Sequence, residues 1–326
     1  MFQRPDRHNK NLYVITPIFN PVRFRSRWKL YKDFEKMCEE AGAILYTIEA
    51  AFGERDHAVT ESHNPQHIQV RTSHELWLKE NLINVAATRL PPEAEYIAWV
   101  DADVTFARDD WADETIHQLQ HYAAVQMWSQ YQDLTPDHEL IGTTRSFMEC
   151  YMNGGPQAVN GRGALSSGYS RTKRRGYPGA PGLAWACRRD EWEALGGLID
   201  ICILGAGDWY MAHSLVGKLD DVMRKEYHPR YVARMKEWEA RAERHIRRNV
   251  GVVKGLALHH WHGPKVQRKY GTRDEILIGA DYNPDIDLKR DLQGVYQLSD
   301  QHEHRSIKLR DGLRKYFRER NEDHLV

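Results

Sequence analysis

The sequence predicts an α/β protein built on a mainly parallel sheet flanked by helices, with a charged helical extension at its C-terminus. Three observations carry this. From Leu12 to Trp128, short apolar runs alternate with stretches of helical periodicity, the pattern of βα units. Ile97-Ala98-Trp99-Val100 is a continuous apolar run, as expected of a strand covered on both faces. That run ends in Asp101-Ala102-Asp103, and in open α/β sheets ligands bind beyond the carboxyl ends of strands.

The elements follow in order. Leu12-Tyr13-Val14-Ile15 reads as a strand that stops at Thr16-Pro17-Ile18-Phe19-Asn20-Pro21, where two prolines force a loop. Arg27 to Ala41 reads as a helix, with Trp28, Tyr31, Phe34, Met37 and Cys38 at three- and four-residue steps and Gly42 ending it. Ala43 to Ile48 is a second strand ending at Glu49, and Ile68-Gln69-Val70 a short third. A helix is expected from His74 to Thr88, stopping before Pro91-Pro92. The apolar run above follows, then a helix from Asp110 to His121 and a strand from Ala123 to Trp128.

Between Tyr131 and Pro181 no periodicity is visible, and the reading is a mobile lid or binding loop about 131–181. A strand is expected over Gly182 to Cys187, and a helix over Arg188 to Leu195 that ends at Gly196-Gly197. Another helix, Trp209 to Val216, follows Gly205-Ala206-Gly207-Asp208. His228 to Arg248 is a long charged helix, Val252 to His260 a strand, and the tail is helical and charged. These limits suggest a catalytic domain over 1–265 and a charged extension over 266–326.

Composition narrows the class. Of 326 residues, 41% are hydrophobic and 28% charged, which suits a globular chain with room for one large core. Lys+Arg 46 balances Asp+Glu 46, so no overall field favours nucleic acid or a membrane surface. Cys38, Cys150, Cys187 and Cys202 form no C-x-x-C pair and read as reduced thiols. The start, Met1 to His8, is polar, so no signal peptide is expected. No apolar stretch approaches the roughly 20 residues of a spanning helix, and a cytoplasmic location is expected.

Four groups of residues suggest chemistry. Thr16, Pro17 and Asn20 lie after the first strand, and Glu49 ends the second, placed to bond a ribose or base. On a strand, residues i and i+2 share a face, so Asp101 and Asp103 are expected to face one ion. Crowded acids repel unless a cation lies between them, and hard oxygen ligands suit Mg2+ or Mn2+. In Leu256-Ala257-Leu258-His259-His260-Trp261-His262-Gly263-Pro264-Lys265, alternation puts His260 and His262 on one face and His259 with Trp261 on the other. An imidazole beside carboxylates favours ions of the Mn2+ type. The bland alternative for the acids is decoration of a helix start, together with Asp109, Asp110 and Asp113.

With these residues in view, the chain resembles glycosyltransferases of the GT-A fold, the family-2-like group, over roughly residues 11–265. The resemblance rests on Thr16-Pro17, Glu49, Asp101-Ala102-Asp103, Gly182-Leu183-Ala184-Trp185-Ala186, Asp208, and His260 or His262, in that order. The stretch from His262-Gly263 through Arg268, Tyr270 and Arg273 to Asn283-Pro284-Asp285 is similar to members found in phages and bacteria.

The resemblance implies a Rossmann-like GT-A domain that transfers a sugar from a UDP- or GDP-sugar to an acceptor. The resemblance leaves the acceptor open among a glycan, a protein, a small molecule and modified phage DNA. Asp101, Asp103 and His260 or His262 would hold Mn2+ or Mg2+, while Lys265 and Arg268 would add charge at the phosphates. Thr16, Pro17, Asn20, Glu49, Asn84 and Asp101 would line the donor, with Asp103 the more direct metal ligand and Asp101 instead bonding the ribose or bracing the ion through water. Gly182, Trp185 and Trp209 would meet the acceptor, though core packing is the ordinary role of any tryptophan. Asp208 would be the general base of an inverting transfer. Its group usually carries two acids here, whereas this chain has Gly207-Asp208, and an N-cap of the following helix is the plain alternative. Lys79 reads better as the partner of Glu75 on a solvated helix face. Arg171 to Arg175 could close over a diphosphate or be a solvated loop, and with Arg241 to Arg248 it permits a nucleic-acid acceptor.

Other classes remain in view. Asp101-Ala102-Asp103-Val104-Thr105 also fits the first motif of haloacid dehalogenase-type phosphatases, although that motif belongs on a first strand. A nucleotidyltransferase would want glycines after the first strand, which are missing. A nucleotide-sugar-binding module without turnover is the non-enzyme alternative.

Overall fold

A computed structural model describes residues 11–159, 179–300 and 303–324. Its strands are β1 (Leu12–Phe19), β2 (Ile44–Phe52), β3 (His67–Thr72), β4 (Tyr96–Val100), β5 (Val104–Phe106), β6 (Ala124–Gln126), β7 (Gln130–Leu134), β8 (Leu140–Arg145), β9 (Ala184–Arg188), β10 (Val250–Val252), β11 (Leu256–His259), β12 (Leu288–Arg290) and β13 (Tyr296–Leu298). Its α-helices are α1 (Arg25–Glu40), α2 (Lys79–Ala87), α3 (Trp111–Leu119), α4 (Phe147–Gly154), α5 (Arg189–Leu195), α6 (Gly207–Leu215), α7 (Pro229–His245), α8 (Glu275–Gly279), α9 (Pro284–Asp287) and α10 (Glu303–Glu319).

The main sheet has seven strands in the order β10-β6-β9-β4-β1-β2-β3. Only β9 runs against its neighbours, pairing antiparallel with β4 and β6. The expected α/β class with a mainly parallel sheet is therefore what the chain adopts. One core lies on the α2, α5, α6 and α7 side of this sheet, and the other under α1 and α3. Two-sided burial explains the unbroken apolar run of β4, all of whose residues are buried.

A second sheet, β5-β11-β7-β8, stands at the carboxyl end of β4. Here β5 pairs antiparallel with β11, Val104 facing His259. On its other side β11 runs parallel to β7, where His259 meets Asp133. This register brings the residues after Asp103 against the histidine segment.

Several expected limits shift, each for a physical reason. β1 continues through Pro17 to Phe19, because its pairing with β4 ends at Ile15 while β2 follows it to Phe19. A strand bonded on one side only tolerates proline. The helix expected from His74 begins at Lys79, since the preceding segment is held in extended contact: the Trp77 N–H donates to the Ile203 carbonyl at 2.9 Å.

The unpatterned stretch 131–181 is not one loop. It contains most of β7, then β8 and α4, whose Ser146 caps the helix by accepting from the Glu149 N–H at 3.0 Å. The polar, half-exposed hairpin of β7 and β8 lacks a clean alternation, which hid it from the pattern. The rest of the expected lid, including Arg171 to Arg175, lies outside the described residues.

The tail is not purely helical either, since β12 and β13 form a hairpin. Its contacts with the α/β body are specific. The Asp323 carboxylate accepts from the Arg25 and Ser26 N–H groups at 2.8 and 2.9 Å. It thereby caps α1, whose own cap residue Phe24 supplies no side-chain bond. Glu322, 1% exposed, accepts from Arg27 Nη2 at 2.9 Å and Arg320 Nε at 2.6 Å. No helix among the described residues is long and apolar enough to cross a membrane.

Candidate functional site

The two acids of the Asp-Ala-Asp turn part company. β4 ends at Val100 and β5 starts at Val104, so the intervening turn does not keep the two-residue period of a strand. Asp101 turns to α2, where Lys79 Nζ lies 2.5 Å from its Oδ1. Asp103 turns to the second sheet. The expectation that both carboxylates face one ion is thus corrected: Asp101 is held by a cation of the chain itself.

Asp103 meets the histidines, but not the expected pair. Asp103, His259 and His262 each offer a ligand atom, and these atoms lie within 4.8 Å of one another. His260 does not join them; its Nε2 is 2.7 Å from Thr105 Oγ1, and its backbone N–H donates to the Asp103 carbonyl at 2.9 Å. The alternation argument failed because β11 ends at His259. Beyond it the chain turns toward Gly263, whose φ of +89° is left-handed.

The trio suits a divalent cation. Asp103 Oδ1 is buried without a hydrogen-bond partner among the described residues. Its other oxygen is 3.2 Å from His262 Nδ1. Burial, with Arg268, His259, Arg27 and Arg320 nearby, holds His262 well below the usual histidine range, so it is neutral. His259 is oriented by its Nδ1, 2.7 Å from Asp133 Oδ1. A carboxylate behind a ligand imidazole fixes its tautomer and leaves Nε2 free. Asp133 in turn is held below the usual carboxylate range by His259 and Lys265, which outweigh its burial.

Lys265 therefore serves the second sheet. It pairs with Asp133 and bonds the Tyr131 hydroxyl at 3.0 Å. Arg268 is 6% exposed, reaches the Tyr270 hydroxyl at 3.2 Å, and has a buried Nε with no partner among the described residues. Arg320, Arg268 and Arg27 thus place positive charge behind His262, countered chiefly by Glu322.

Asp208 stands in the first turn of α6. Its Oδ1 accepts from the next residue's N–H at 2.8 Å. A Cβ on Gly182 would lie 2.5 Å from its Oδ2, so Gly182 leaves room for this carboxylate. Lys79, Glu80, Gly182, Gly207 and Asp208 line one small pocket together with Trp99 and Trp185. Burial alone would lower the Lys79 ammonium, but Asp101 first and then Asp208 hold it above its ordinary value. The reading of Lys79 as a solvated partner of Glu75 is corrected. Glu75 precedes α2 and pairs with Arg318 at 2.6 Å.

Other expected site residues have structural work. Glu49 is 4% exposed, and its carboxylate accepts from the Ala58, Val59 and Thr60 N–H groups and the Thr60 hydroxyl at 2.6–3.0 Å. It shapes a loop, with both of its oxygens bonded by the Ala58–Thr60 segment. Thr16 donates to the Val100 carbonyl at 2.8 Å, tying β1 to β4. Pro17 is buried within β1. Asn20 holds the turn before α1 through the Phe24 N–H and carbonyl, at 2.9 and 2.8 Å. Asn84 fixes the Leu198 backbone, accepting its N–H at 2.8 Å. Trp185 is 1% exposed, with its indole N–H on the Pro181 carbonyl at 2.6 Å, so no face is free to stack on a sugar. Trp209 is half-buried, with its ring 4.3 Å from that of His213.

No protein-family model matches this sequence, and no curated protein does. Among solved structures, the chain is similar to a Drosophila β1,4-galactosyltransferase 7 variant in complex with manganese, UDP-Gal and xylobiose. That likeness has 10% identity and a TM-score of 0.40, covering 92% of this chain and 98% of that one. It is also similar to a glycosyltransferase involved in glycosylation of the major capsid of PBCV-1, at 12% identity and a TM-score of 0.35, covering 79% and 96%. A third likeness is to 4-diphosphocytidyl-2C-methyl-D-erythritol synthase from Anaerococcus prevotii, at 13% identity and a TM-score of 0.32, covering 76% and 89%. These are loose likenesses of shape.

Proposed function

We propose that the chain is a metal-dependent glycosyltransferase, moving a sugar from a nucleoside-diphosphate sugar to an acceptor hydroxyl with inversion. One observation carries this reading: the orphaned, buried Asp103 oxygen lies with His259 and His262 at the carboxyl end of β4, where α/β sheets bind ligands. Asp103, His259 and His262 would hold Mn2+ or Mg2+, which would neutralise the leaving diphosphate.

The chain's own groups supply the rest. Arg268, Arg320 and Lys79 add fixed positive charge around the donor. Asp208 accepts the proton of the acceptor hydroxyl. The hydroxyl oxygen bonds to the anomeric carbon as the bond from that carbon to the diphosphate oxygen breaks. Gly182 keeps the face of the Asp208 carboxylate open. The phosphatase alternative wants its acid pair after the first strand of the sheet, whereas Asp101 and Asp103 follow β4.

A calorimetric and thermal-shift panel of UDP- and GDP-sugars, with and without Mn2+, tests the reading. Concentration-dependent stabilisation that requires Mn2+ is expected, as is loss of turnover in Asp208→Asn with donor binding retained. No metal-dependent response to any nucleoside diphosphate sinks the reading.

A further inference from the structure

The turn into α6 places its glycine against the backbone's own preference. Ala206 has a left-handed φ of +74°, a conformation that favours glycine. Gly207 follows it without a left-handed φ, so its backbone does not call for glycine. The reason lies on α2. A Cβ on Gly207 would meet Glu80 Cδ and Oε1, both at 2.5 Å. The carboxyl of Glu80 fills the space that a side chain at 207 would take.

Glu80 is 5% exposed and borders the same small pocket as Asp208, with space for about one water between the groups that line it. Gly182 lies directly against the Asp208 carboxylate. We propose that Glu80 is a positioning residue for Asp208: fitted against Gly207, its carboxyl backs the Asp208 carboxylate across this water-sized space and sets its orientation toward the acceptor. The inference rests on Asp208 being the base.

The charge arrangement supports this role. Burial, with Asp208 and Asp101 adding and Lys79 opposing, pushes the Glu80 carboxyl up to about 8. The groups that face it are Lys79 on its own helix, Asp208 on α6, Asp101 after β4 and the Cys202 thiol. At neutral pH it is therefore an uncharged hydrogen-bond donor beside an acid, which avoids like-charge repulsion.

The test is a set of exchanges between positions 80 and 207. Gly207→Ala is expected to lower both Tm and kcat, kcat by tenfold or more. Adding Glu80→Ala is expected to relieve the Tm loss. Glu80→Ala alone is expected to lower kcat about tenfold with little change in donor KM, and Glu80→Ala/Gly207→Glu to recover much of it. If Glu80→Ala does not fold, Glu80→Gln carries the test. Its kcat should match the wild type near pH 7 and lack the wild-type fall above pH about 8.

Equal effects of Gly207→Ala with and without Glu80, or an unchanged kcat and pH profile in the Glu80 variants, overturn the inference. If those variants are fully active while Asp208→Asn is dead, the base assignment stands and only this inference fails. Full activity in Asp208→Asn overturns the base assignment itself.

Discussion

Lys79 Nζ and Asp101 Oδ1 are 2.5 Å apart, joining the first turn of α2 to the turn after β4. This pair separates the two acids of the Asp-Ala-Asp motif into different jobs. Asp101 anchors the helix that carries Glu80, and Asp103 is left to face the histidines. The side chains of Lys79 and Asp101 are 11% and 25% exposed.

Removing one partner leaves a largely buried charge without its counter-ion. Lys79→Met is expected to cost about 2–3 kcal/mol, near the low end for broken buried pairs because Asp101 retains some solvent. Lys79→Met/Asp101→Asn should lose less than the sum of the single variants. Urea unfolding of the four proteins measures the coupling, and strict additivity would show that the pair contributes nothing.

The histidines make a second discrimination. His259→Ala is expected to weaken Mn2+ binding about 10-fold to 100-fold, and His262→Ala similarly, as for loss of a ligand or its support. His260→Ala should leave Mn2+ affinity nearly unchanged, since its ring bonds Thr105 instead. Isothermal titration with Mn2+ alone reads this out. A strong loss in His260→Ala with none in His259→Ala reverses the assignment.

Sequence pattern carried the α/β class and most of the main sheet, because burial on both faces leaves its mark on residues such as Ile97 to Val100. It singled out Asp103 and His262, which the fold brings into one group with His259, and Asp208, which stands in the first turn of α6. It failed where periodicity stops: at the turn after Val100, which sends Asp101 away from Asp103, and past His259, where the strand ends one residue before the expected ligand. Glu49 reads as a site acid in the chain, yet its partners Ala58 to Thr60 are backbone groups, whose direction no side-chain pattern encodes. Lys79 was misread because only the fold shows that α2 starts there. Asp133, the brace behind His259, lay in a hairpin too polar to be seen.

The C-terminal segment provides a pH-dependent test. Burial would raise the Glu322 carboxyl, but Arg27 and Arg320 outweigh it and hold it at about 2, below its ordinary 4.5. A carboxyl depressed in the folded state stabilises above its unfolded value, and that stability is lost as pH falls through its folded value. Glu322→Gln is expected to lose about 3–5 kcal/mol near pH 7, as for a buried ion pair broken on one side. The gap to the wild type should narrow as pH falls from about 4.5 toward about 2. Denaturant titrations at stepped pH check this, and a gap that stays constant overturns it.

His213 supplies the opposite chemistry. Its ring is fully buried between Phe147 and Trp209, with centroids 4.8 and 4.3 Å away. Its Nδ1–H donates to the Trp209 carbonyl at 2.8 Å, so the neutral ring carries its proton there. Charging it would place a cation in an apolar slot, and burial accordingly lowers it from 6.5 to about 4. In the unfolded chain the same ring takes up a proton near its ordinary value, so the unfolded state binds more protons between these limits. Stability therefore falls as pH drops from about 6.5 to about 4. His213→Met, apolar and able to fill the slot, should flatten this part of the stability–pH curve while leaving the lower Glu322 region unchanged. Urea midpoints between about pH 7 and 4.5 read the His213 window and those from about 4 down to 2 the Glu322 window, and an unaltered slope in the upper window in His213→Met shows that another group governs it.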